Sequence, residues 1–111
     1  MEKITYYRSL YKGKDKNGKS IYNFVLTHGY YMAVSDGKNT IEIGIHNQPG
    51  KWIATELTSG LLTFAGESRK AVIDRHTPAN VAKIHEMLLH DSVIKIINLL
   101  NEHKKIGGIK N

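Results

Sequence analysis

No cysteine occurs among the 111 residues, so disulfides, thiolate metal sites, thiol redox chemistry and a cysteine nucleophile are excluded together. Proline is nearly absent too. With only two in the chain, each marks a definite break: Pro49-Gly50 reads as a turn, and Pro78 after Thr77 as a helix start. No apolar run approaches the roughly 18 residues of a membrane span. The stretch from Met1 to Tyr6 also lacks the charged-then-apolar layout of a secretory leader. The expected location is the cytoplasm, with no membrane partner.

The common catalytic devices are missing as well. His85-Glu86-Met87-Leu88-Leu89-His90 comes close to the zinc-protease helix, but its histidines are five apart rather than four. That spacing turns them about 140° around a helix, so they cannot share one metal ion. Gly66-Glu67-Ser68-Arg69-Lys70 lacks the final glycine of a nucleophile elbow. Gly44 to Lys51 ends like a phosphate-binding loop, yet Trp52 stands where a magnesium-holding hydroxyl is needed. His28, His46, His76 and His103 fall near expected turns or element ends without metal-site spacing. An enzyme would need His46, His76 or His90 to meet a carboxylate in a cleft, which only folding can arrange. The expectation is a non-enzymatic protein with no catalytic residue, no cofactor and no metal.

What is present suffices for one core. With 41% hydrophobic and 23% charged residues, the chain can bury enough apolar surface to offset the entropy of ordering it. We expect a single α+β domain over 1–111: an antiparallel β-meander of five or six strands over 1–66, then a helical portion over 67–111 with two or three helices packed on one face. The net charge is +6, and it is polarised: +4 from Met1 to Thr27, −1 from His28 to Gly66 and +3 from Glu67 to Asn111. Such a balance attracts polyanions.

Strand signals fill the first part. Ile4 to Tyr11 and Ile21 to Thr27 flank Asn17-Gly18, a favoured type I′ hairpin pair. His28-Gly29 reads as the next turn, before a strand from Tyr30 to Ser35 that Asp36-Gly37 closes. Ile41, Ile43 and Ile45 alternate with Glu42, Gly44 and His46, which puts the isoleucines on one pleated face. Lys51 to Leu57 and Leu61 to Ala65 follow, separated by Thr58-Ser59-Gly60.

The period changes after Gly66. Ser68 caps a short helix from Arg69 to His76, and Thr77 caps a second from Pro78 to His90. A third, from Ser92 to Lys105, ends at Gly107-Gly108, with Asp91 as candidate N-cap; a single helix running through Asp91-Ser92 is the alternative. Val93, Ile94, Ile96, Ile97, Leu99 and Leu100 sweep roughly 220° of that last helix, wider than one sheet contact needs. The extra width calls for the preceding helix or for a homodimer through Val93, Ile96, Ile97 and Leu100.

Two surfaces carry the functional expectation. Lys12, Lys14, Lys16 and Lys19 crowd one hairpin tip bordered by Tyr6, Tyr7, Tyr11 and Tyr22. There lysines can neutralise phosphates, and tyrosines can stack on bases or line a protein interface. Ser68, Arg69 and Lys70 stand at a helix start, whose free backbone amides suit a phosphate or carboxylate.

A Lys- and Gly-rich first turn in a β-meander, then Trp52-Ile53-Ala54-Thr55-Glu56, the Gly60 turn, and Gly66-Glu67-Ser68-Arg69-Lys70-Ala71-Val72 opening a helix resemble small proteins of phages and mobile elements of low-GC Gram-positive bacteria. The strand-to-helix junction is also similar to arm-binding domains of phage integrases, which are shorter and lack the two apolar C-terminal helices. The mobile-element resemblance implies a bacterial host and a counter-defence or regulatory protein, including the anti-CRISPR type. The expected function is therefore inhibition of a protein complex that handles nucleic acid, docked through the basic, tyrosine-flanked hairpin, with direct binding of DNA or RNA by a regulatory protein as the alternative.

Overall fold

The computed structural model describes residues 1–107. Five strands form one antiparallel sheet in chain order: β1 (Glu2–Lys14), β2 (Ser20–Ser35), β3 (Thr40–Gln48), β4 (Lys51–Glu56) and β5 (Leu62–Gly66). Three helices follow: α1 (Arg69–Asp74), α2 (Pro78–Met87) and α3 (Asp91–Gly107). The α+β class and the meander-then-helices order match the sequence reading.

Residues opposite each other in an antiparallel pair share a face. The register therefore sets Met32 beside Ile43, Val34 beside Ile41, and Ile45 beside Ala54 on one face. Val72 of α1 and Val81 and Ile84 of α2 close over that face to make the main core. A fully buried aliphatic side chain such as Ile43 or Ile45 contributes about 1.5–3 kcal/mol, so this layer holds the helices to the sheet.

The other face carries no helix, yet its centre is buried. Ser9 of β1 donates its backbone N–H to the Gly60 carbonyl at 2.7 Å and its hydroxyl to the Ser59 carbonyl at 2.7 Å. These bonds bring the outer edge of the first strand to the β4–β5 turn, so the sheet coils on itself. Tyr6, Thr27, His46, Ile53 and Thr55 are enclosed by that curl. Glycine makes the close approaches possible. A Cβ on Gly44 would lie 2.5 Å from the Tyr6 ring, and one on Gly60, whose φ is +74°, 2.6 Å from the Ser9 hydroxyl. The buried Glu56 carboxylate shapes the β4–β5 turn by accepting from the Thr58 and Ser59 backbone N–H groups, each at 2.8 Å.

Local signals read from sequence fall into place at both caps: Ser68 accepts from Ala71 N, and Thr77 from Asn80 N. Three expectations are corrected. His28-Gly29 is not a turn, because β2 runs unbroken through it; Gly29 is there for space, since a Cβ would sit 2.5 Å from the Ile45 carbonyl oxygen. The hairpin tip is not type I′. Asn17 keeps a negative φ and only Gly18 is left-handed at +78°. The tip is a type I turn with Gly18 N–H bonded to the Asp15 carbonyl at 3.0 Å, while the Asp15 carboxylate accepts from Asn17 N and Lys19 N at 2.9 Å each.

Asp91 is not the N-cap either. The chain does break between α2 and α3, but it is the His90 carbonyl that accepts the first helical bonds, from Val93 N and Ile94 N. Asp91 is the first residue of α3, where its charge complements the positive helix end. α3 is described as far as Gly107, and the stop expected at Gly107-Gly108 lies outside the described residues.

Candidate functional site

The β1–β2 hairpin outgrows the sheet. β3 pairs with β2 only from Tyr30 to Ser35. Towards the tip, α3 flanks one face: the His103 ring meets Tyr7 at 4.8 Å and Phe24 at 5.1 Å, and residues Asp91 to Glu102 lie across a cleft from Gly18 to Tyr22. From Leu10 to Asn23 the sheet itself is a two-stranded ribbon. A bulge between Tyr11 and Gly13 adds Lys12 to one strand, and Gly13 takes φ +105° to allow it.

The ribbon carries Lys12, Lys14, Lys16 and Lys19, all exposed, and among the described residues none of them forms an ion pair. Asp15 sits among them, but its carboxylate is occupied by backbone N–H groups. Tyr11 and Tyr22 are cross-strand partners with ring centroids 5.6 Å apart and planes at 63°; Tyr11 is 56% exposed. Leu10 and Ile21 are exposed on the opposite side of the ribbon.

Tyr6 and Tyr7 do not join this surface, which corrects the expectation for both. Tyr7 is 6% exposed beneath His103. Tyr6 is fully buried across Gly44, and burial pushes its hydroxyl up to about 12 against an opposing pull from Arg8. Neither ring is available to stack on a base.

Nor does the fold unite the two expected surfaces. Arg69 lies 5.9 Å from both the Tyr30 and the Trp52 ring. Tyr30 is eight residues along β2 from Tyr22, roughly 26 Å of extended strand. Ser68 is engaged as the cap of α1, and Lys70 pairs with Asp74. α1 is six residues long and begins at this Ser68 cap.

The homodimer surface is corrected in the same way. Val93, Ile96 and Leu100 are buried against the chain's own sheet and Ile97 is half-buried, leaving Ile94 and Leu99 exposed on the two flanks of α3.

Sequence reading missed a groove. Between the ribbon and the first half of α3 lies a cleft of about 890 Å³, bounded on one side by Gly18, Lys19, Ser20 and Tyr22. The other side is α3, which lines it with one helical row of Ser92, Ile96 and Leu99 and an adjacent charged row of Asp91, Lys95 and Glu102. The available signal was Leu99, which falls off the main apolar stripe of its helix and is 42% exposed.

Among the described residues no histidine side chain hydrogen-bonds a carboxylate. His46 lies within β3 and His76 in the connection between α1 and α2, the kind of element end expected for it, and both are buried. His46 Nδ1 is 3.4 Å from the Tyr6 hydroxyl, and His76 contacts the Thr63 hydroxyl at 2.8 Å and the Val72 carbonyl at 2.9 Å. Burial lowers the pKa of both; Arg8 adds to the shift at His46, while hydrogen bonds to the Val72 and Ile73 carbonyls oppose it at His76. His46 Nε2 and Thr55 Oγ1 are buried without a hydrogen-bond partner among the described residues. No set of three metal-ligating side chains converges among the described residues, and no described helix is long and apolar enough to cross a membrane.

No protein-family model, no curated protein and no solved structure matches the chain.

Proposed function

We propose that the chain is a non-enzymatic, cytoplasmic binding module that contacts nucleic acid directly through its lysine-bearing ribbon. The observation that carries this reading is the ribbon itself: four unpaired lysines and an exposed tyrosine on a projection that the third strand does not support. Unpaired surface lysines release counterions when they meet phosphates, which supplies affinity without a shaped catalytic pocket. A nucleic-acid channel in another protein is itself cationic, so a cationic ribbon is better matched to the polyanion than to the channel.

The second reading is a mobile-element inhibitor of anti-CRISPR type, docked on a protein complex that handles nucleic acid. Exposed Leu10 and Ile21 favour it, because apolar side chains on a projecting ribbon suit a protein surface. Salt dependence separates the two. For direct binding, log K measured by fluorescence anisotropy falls linearly with log salt. Replacing Lys12, Lys14, Lys16 and Lys19 with glutamine flattens the slope by about 0.7–0.9 for each phosphate that is no longer neutralised. A salt-insensitive affinity, or no affinity for free nucleic acid alongside a stable protein complex, favours the inhibitor.

A further inference from the structure

The groove beside the ribbon decides which form of nucleic acid the proposed site fits. We infer that it holds a single strand, with bases between Tyr22 on the ribbon and Ile96 and Leu99 on α3, and phosphates along the Lys14, Lys16 and Lys19 side. This rests on the nucleic-acid reading above and names its substrate class.

Three observations lead there. The first is steric. A two-stranded β-ribbon reads duplex DNA by laying one face in a major groove about 12 Å wide. Here α3 stands beside one face, across the cleft from Gly18 to Tyr22, so the face left open to a duplex is the one that carries the apolar Leu10 and Ile21. The cleft itself, about 890 Å³, falls among pockets of roughly 300–1,000 Å³ that enclose small molecules; it has room for bases but not for a double helix.

The second observation is the apolar lining. Tyr22 is placed by the Tyr11 ring at its side, and Leu99 continues the apolar surface while remaining partly open to solvent. Base stacking on aromatic rings tolerates any sequence, because every base has a π-face. A paired duplex hides those faces.

The third is the arrangement of charge. The ribbon side has Lys19 in the cleft, with Lys14 and Lys16 on the same hairpin tip, whereas the α3 side has Asp91 and Glu102 either side of Lys95. Glu102 is 3.6 Å from Lys105, which reduces its field without reversing it. Phosphates are therefore drawn to the ribbon and kept from the helix, which turns the bases inward.

The test compares one labelled DNA strand of about 15 nucleotides, within the site sizes that single-strand binders cover, with the duplex of the same sequence by fluorescence anisotropy in low salt. The single strand is expected to bind about tenfold tighter than the duplex. Leu99→Glu, at a partly exposed position, is expected to weaken single-strand binding about tenfold, the scale of one missing base stack, with duplex affinity unchanged. Ser92→Glu is the second groove variant, used if L99E melts below the wild type. Duplex binding as tight as single-strand binding, or groove variants with wild-type affinity, overturns the inference and leaves the nucleic-acid reading standing. No binding of either form overturns the nucleic-acid reading itself.

Discussion

Four tyrosines of one hairpin meet opposite fates. Tyr6 and Tyr7 are buried near the sheet, while Tyr11 and Tyr22 stack on each other in the ribbon, with Tyr11 open to solvent. The residue type is the same and so is the strand pair; what differs is what lies alongside. At Tyr6 the sheet curls back through the Ser9–Gly60 contact and sets the ring across Gly44, and at Tyr7 α3 arrives with His103. At Tyr11 neither the curl nor a helix side chain closes over the ring, which stays 56% exposed. Exposure here follows what packs alongside rather than the chemistry of the side chain, so one end of the hairpin works as scaffold and the other as surface.

The largest test of that contrast is Tyr6→Ala, which removes a fully buried ring from the inside of the curl. A loss of about 3–5 kcal/mol is expected in urea unfolding. A loss below about 1 kcal/mol would show that the inner face is not packed and that the contrast is false. Gly44→Ala sharpens it from the other side. The new methyl would press into the same ring, so a destabilisation of about 1–3 kcal/mol is expected. Because the two positions touch, Gly44→Ala should cost far less in the Tyr6→Ala background, and purely additive effects in a double-mutant cycle would contradict the contact.

Sequence pattern made the scaffold legible wherever the signal was local. The alternation of Ile41, Ile43 and Ile45 placed one face of β3, and Ser68 and Thr77 marked two helix starts, because each depends on neighbours within a few positions. The curl was not legible. It depends on Ser9 meeting Ser59 and Gly60, about fifty residues away, and no periodicity encodes such a closure. The same blindness produced the turn expected at His28-Gly29: glycine was read as a bend, whereas its role is to let strands approach. Half of the candidate surface was readable, since the lysines cluster in sequence. The groove was not, because its far wall comes from α3 and only the fold brings Leu99 opposite Tyr22.

A smaller effect separates the two regions by pH. The scaffold encloses His46 and His76, whose folded pKa values are held below the ordinary histidine value of 6.5 mainly by burial. A lowered folded pKa means that the unfolded chain binds the proton first. The stability from keeping these rings neutral is full above about pH 6.5 and is lost as pH falls from there through the folded values. Asp36, held below 3.8 chiefly by the Asn39 and Lys38 backbone N–H groups, loses its contribution only in more acidic solution. Urea midpoints should therefore drop between about pH 7 and pH 5, with the drop reduced in His46→Gln and His76→Gln relative to each variant's own value at pH 7. A flat profile in the wild type would mean that neither histidine is shielded as described.

The smallest expected stability change falls on Tyr11→Ala, and its smallness is what makes it informative. The ring is 56% exposed and its one aromatic neighbour is Tyr22, so removing it should shift unfolding by no more than about 0.5 kcal/mol. The same substitution leaves Tyr22 without the ring that braces it at the edge of the cleft, so single-strand affinity should still fall. A variant of unchanged stability and weakened binding separates surface from scaffold within one hairpin. If Tyr11→Ala destabilised the chain as much as Tyr6→Ala, the ribbon would be part of the packed structure, and its lysines would no longer stand on an independent projection.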